Sequence, residues 1–170
     1  MTRKRSSYRP RGINPTAHLV AMHGAARLTR DDRTVWALQM YDALDAVARG
    51  KATRTHWGTI FDAVNLAEEL TRMGLASDPD GIISGAQEAC AEIVRRQQAT
   101  GTRAVRAGEL AALRCLEVAM IDILAAVTHS ERFRAEERIR ARAATARAGG
   151  IAGAQVIDAG FLERGATPAP

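Results

Sequence analysis

From Asn14 to about Arg147 apolar residues recur at three- and four-residue intervals, and almost nowhere do they alternate with polar ones as a half-buried strand requires. That period commits the chain to helices packed on helices. Three Phe, two Trp and two Tyr are too few to fill a core of this length. The interior must therefore be aliphatic, with alanines letting helices approach closely. The reading is an all-α, single-domain bundle of four to six helices, with a long C-terminal helix and flexible termini.

Local signals divide the run. In "NPTAHLVAMHGAARL" Asn14 caps a short helix and Pro15 takes its first position, where a missing N–H costs nothing; the helix ends near Gly24 or Arg27. "TRDDRTVWALQMYDALDAVARG" opens on Asp31 and Asp32 and stops at Gly50, with Ala37, Tyr41, Leu44 and Ala48, and Trp36, Met40 and Val47 alongside, forming one face. The next helix takes Thr53 or Thr55 as cap, buries Trp57, Ile60, Phe61, Val64, Ala67 and Leu70, and stops at Gly74. In "SDPDGIISGAQEACAEIVRRQQATG" Asp78 caps, Pro79 takes the first helical position, and Ile82, Ala86, Ala89 and Ile93 face inward as far as the stop at Gly101. The run from Glu109 to Ala148 reads as one helix of about 60 Å. Its first half should pack, and its second half, with only Phe133 and Ile139 as large apolar residues, should project or fray. The expected core is Trp36, Tyr41, Leu44, Trp57, Ile60, Phe61, Val64, Leu70, Ile82, Ile93, Leu113, Met120 and Leu124.

Charge divides the chain differently. The net charge is +5, yet residues 1–30 hold seven basic groups and no acid, whereas residues 31–100 hold seven basic and eleven acidic groups. Residues 1–12 read as a basic flexible arm, 13–148 as the helical domain, and 149–170 as a Gly/Ala-rich disordered tail. In the arm, Arg3, Lys4, Arg5, Arg9 and Arg11 are candidate phosphate contacts and Tyr8 a candidate base-stacking residue. A solvated tail is the plain alternative for the same residues. The apolar run through Val127 is interrupted by Asp122 and is too short to span a bilayer. The prolines after the leader suit neither a secretory signal nor a transit helix. A cytoplasmic protein with two buried free thiols, Cys90 and Cys115, is the expectation.

Chemical motifs do not assemble. "DPDG" at Asp78 resembles the start of a calcium loop, but its twelfth position is Ala89 where a bidentate Glu is needed. His18, His23, His56 and His129 have no zinc spacing, and no acid has a His three residues later, as a di-iron bundle requires. There is no nucleophile elbow, phosphate-binding loop or dinucleotide fingerprint. "GLASDPD" is too long for the turn of a helix-turn-helix, and acids open the helix that would meet DNA. No catalytic, cofactor-binding or metal-ligating residue is expected, and no cofactor.

Tyr8, Arg9, Pro10 and Arg11 followed by Asn14 and Pro15, then Gly50, Ala52 and Thr53, with Asn65 and Glu69 on the next helix, resemble a group of uncharacterised small proteins of proteobacterial phages and integrated mobile elements. The resemblance covers about Tyr8 to Glu137 and carries no assigned activity or catalytic residue. It implies a small accessory protein. The expected function is that of a non-enzymatic accessory or regulatory factor acting on a protein partner, with nucleic-acid binding through the arm as the alternative. A homodimer formed through a residual apolar helix face is the further expectation.

Overall fold

The computed structural model describes residues 15–148 as six helices: α1 Pro15–Ala25, α2 Arg30–Ala48, α3 Arg54–Arg72, α4 Ile82–Thr100, α5 Ala107–Ala126 and α6 His129–Ala148. The basic arm and the Gly/Ala-rich tail lie outside the described residues. Helices α2, α3, α4 and α5 close a ring in which each touches the next and α5 returns to α2. Helix α6 lies against α3, and α1 lies against α6. Among the described residues no strand forms, and the one isolated bridge pairs Arg27 with Thr128.

Helix α3 is central because its sequence allows it to be. From Ala63 to Leu70 every residue is buried, since α2, α4, α5 and α6 all contact this helix. Ile60, Phe61, Val64 and Leu70 meet Met40, Leu44 and Val47 of α2, Ile93 and Ala89 of α4, and Leu113, Leu116, Met120 and Leu124 of α5 in one aliphatic core. Trp57 is buried with its ring 5.8 Å from that of Phe61.

Several expectations are corrected. The run after Glu109 is two helices, because Thr128 caps a new one: its hydroxyl accepts from Glu131 N–H at 3.3 Å, and Glu131 Oε2 accepts from Thr128 N–H at 2.8 Å. This capping box satisfies the N–H groups of a fresh helix start. The break is held from outside by Leu28 N–H to Val127 O at 3.5 Å and His129 N–H to Ala26 O at 3.0 Å. Helix α6 does not project where it is described; it packs on α3, burying Ala135 and leaving Ile139 half-buried. Helix α4 begins at Ile82, three residues beyond Pro79. Gly81 at φ 68° is left-handed and stops the helix extending back, while Asp78 reaches over the turn to accept from Ile83 N–H at 2.8 Å and Ser84 N–H at 2.9 Å. Helix α2 is capped by Thr29, whose hydroxyl accepts from Asp32 N–H at 3.1 Å. Tyr41 is exposed, because the buried stripe of α2 runs Met40, Ala43, Leu44 and Val47. Trp36 and Ile82 only border the core. Cys90 is buried but Cys115 is exposed, and the two are not joined.

Candidate interaction surfaces

Ionisable side chains at the helix ends are tied into the fold. Arg96 of α4 grips Glu109 of α5 with both terminal nitrogens, Nη1 to Oε2 at 3.0 Å, and the same carboxylate accepts from Arg106 N–H at 2.8 Å. The Arg96 hydrogen bonds, opposed by partial burial and aided by the Arg106 N–H, hold the Glu109 carboxyl below its ordinary value. Thr29 does the same for Asp32, and the Thr128 backbone and hydroxyl for Glu131. For Asp78, burial pushes upward but is outweighed by hydrogen bonds from Ser84 and Ile83.

All four carboxyls bind protons less readily folded than unfolded. Their stabilisation is complete above the unfolded values of about 4 to 4.5 and is lost as pH falls through the depressed folded ones. Glu109→Gln should therefore lower the unfolding free energy at pH 7 by about 2 kcal/mol and flatten the loss of stability between pH 5 and pH 2. Urea melts across that range check both; an acid limb as steep as the wild type's would contradict the role given to the Arg96–Glu109 pair.

A second polar knot joins α3 to α6. Glu69, 4% exposed, forms ion pairs with Arg142 and, at 3.6 Å, with Arg138. The Arg142 contact lacks hydrogen-bond alignment, and Arg142 Nε and Nη2 are buried with no hydrogen-bond partner among the described residues. A third knot gathers His23 of α1, Asp32 of α2 and His129 of α6. The imidazole centroids lie 4.6 Å apart and His129 Nε2 is 3.9 Å from Asp32 Oδ2. Sequence spacing gave no hint of this meeting, because the two histidines stand 106 positions apart.

Between α3 and α4 lies an open cleft of about 320 Å³ floored by Val64 and edged by Asn65, Glu68, Ser84, Gln87 and Glu88. Glu68 is engaged by Arg72. The Cys90 thiol is sealed in the core, where burial and then the neighbouring Glu109 push it up to about 12, so it is a packing atom and not a nucleophile at neutral pH. Among the described residues no group of three His, Cys, Asp or Glu side chains is placed to hold a metal ion, and no helix is long and apolar enough to cross a membrane.

Among the described residues the exposed large apolar side chains include two groups, besides Val35 and Phe133. On α1, Leu19, Val20 and Met22 are 65%, 67% and 59% exposed. Near its C-terminal end Gly24 faces Ser130 and the His23 ring lies tilted against that of His129, and among the described residues α6 is the one helix that α1 packs against. On the outer side of the α2–α5 pair, Leu38, Tyr41, Val118 and Ile121 are exposed, and Arg114 lies over the Tyr41 ring at 4.9 Å. Neither surface was singled out by sequence periodicity, which marks apolar faces but not which of them lack a neighbour. The expected arm residues Arg3, Lys4, Arg5, Tyr8, Arg9 and Arg11 all lie outside the described residues. Comparison of the chain with known protein families, with curated proteins and with solved structures finds no match.

Proposed function

We propose that this chain is a non-enzymatic binding protein, an accessory or regulatory factor of a mobile element, that acts by placing α1 in a groove on a protein partner. The observation that carries the reading is the exposure of Leu19, Val20 and Met22 on a helix that, among the described residues, packs only on α6. Large apolar side chains grouped on an outlying helix suit helix-in-groove recognition, in which a few anchors supply most of the affinity. The complementary groove is apolar with an acidic rim, matching Arg9 and Arg11 immediately before the helix.

The test is affinity capture from cells with the tagged full-length chain and with a Leu19→Asp, Val20→Asp variant. The expected result is a stoichiometric protein partner with the wild type that is lost with the variant while the melting temperature is kept. A nucleic-acid reading is favoured by one observation: residues 1–30 hold seven basic groups and no acid. It predicts duplex binding whose log affinity falls with log salt at a slope of about −4.5 if the five arm cations each meet a phosphate. Such binding, unaffected by the α1 variant and abolished by removing residues 1–12, would replace the protein-partner reading.

A further inference from the structure

We propose that the outer ridge of α5 is a self-association surface, on which a second copy of the chain lays its own α5 antiparallel across a two-fold axis at Val118. The ridge follows the 3-4-3-4 spacing of a helix-packing seam, Ala111, Arg114, Val118, Ile121 and Ala125, with Cys115 and Asp122 beside it. It points away from the core face formed by Leu113, Leu116, Met120 and Leu124. Val118 is 68% and Ile121 40% exposed, and Cys115 and Asp122 are exposed as well.

The order of these residues is what selects the occupant. Counted outward from Val118, three positions bring Cys115 and Ile121, four bring Arg114 and Asp122, and seven bring Ala111 and Ala125. In a two-fold antiparallel pair each residue faces the one equally far on the opposite side, so Arg114 meets the second copy's Asp122 twice, about 6 Å to either side of the axis. Valine then packs on valine, and alanine on alanine at both ends, where small side chains admit close approach. A parallel pair would set Arg114 against Arg114 and Asp122 against Asp122. Charge thus specifies the antiparallel second copy and opposes the parallel one. Arg114 already lies over Tyr41 and donates to Glu117 at 3.0 Å, and its guanidinium has further N–H groups for the second carboxylate. Tyr41 and Leu38 of α2, both exposed, extend the apolar surface alongside.

The experiment is sedimentation equilibrium of the full chain from about 1 to 100 µM, a range that saturates an interface of micromolar Kd. The expected result is a dimer. Val118→Glu, which sets two carboxylates on the axis, should give a monomer with unchanged helical content and melting temperature. Arg114→Glu and Asp122→Arg should each weaken the dimer at least about tenfold, whereas an equimolar mixture of the two, or both changes in one chain, should restore it. Maleimide labelling of Cys115 should slow as wild-type concentration rises and stay fast in Val118→Glu. A wild-type monomer throughout the range, a dimer indifferent to Val118→Glu, or single charge reversals that fail to rescue one another would each overturn the proposal.

Discussion

Replacing Trp57 with alanine is expected to lower the unfolding free energy by about 3–5 kcal/mol, a large share of the about 5–15 kcal/mol that holds a domain folded. Trp57 is 3% exposed in the first turn of α3, and its ring lies 5.8 Å from that of Phe61, tilted by 33°. The neighbouring Phe61 ring is itself buried in the core, so it is not free to refill the space. The cavity would open where α2 turns into α3, so two helices lose packing together. Urea denaturation measures the change. A loss below about 1 kcal/mol would mean that the Trp57 site collapses or that the ring is not enclosed.

Arg142→Ala should cost nearly as much, about 3 kcal/mol, and for an electrostatic reason. Glu69 is 4% exposed on the central helix, and removing Arg142 leaves it, among the described residues, only Arg138 at 3.6 Å. A buried carboxylate without a close partner loses its hydration with little in return. Arg142 is itself 29% exposed, so Glu69→Ala should be milder, because the guanidinium can turn towards water. The double substitution to leucine should be nearly neutral, since apolar packing replaces both charges. A double-mutant cycle with alanine should therefore give a coupling of at least about 1 kcal/mol. Additivity to within about 0.3 kcal/mol would contradict the placement of α6 across α3.

Which parts of this were legible in the sequence follows from where the signals lie. The stripe Trp57, Ile60, Phe61, Val64 and Leu70 is local and periodic, and it is buried as read. The stops at Gly50, Gly74 and Gly101 are likewise local, each glycine having the positive φ that ends a helix. The break before α6 was also written locally, as the T-x-x-E of Thr128 to Glu131, but no glycine or proline marks it and the apolar period runs straight through. What fixes it is a pair of backbone hydrogen bonds to the α1–α2 turn, about a hundred residues earlier. Burial of α6 was missed for a related reason: a helix with little apolar surface of its own is held by alanine packing and by the Glu69 knot. Tyr41 shares the expected α2 face with Met40, Leu44 and Val47, but it lies at the edge of that face and stays exposed while Met40, Ala43, Leu44 and Val47 are buried. The surfaces were least legible. Leu19 and Val118 are apolar residues inside helical runs, and their exposure emerges only from how the described helices pack.

The claim on which the functional account rests is that α1 is the contact helix. It is tested most directly by titration calorimetry of the captured partner against the wild-type chain and against Leu19→Asp, Val20→Asp. The account predicts a negative heat-capacity change for the wild type, as buried apolar surface requires, and a Kd raised at least about thirtyfold in the variant, as expected when interface anchors are lost. Equal affinities for the two proteins, each folded to the same melting temperature, would contradict it.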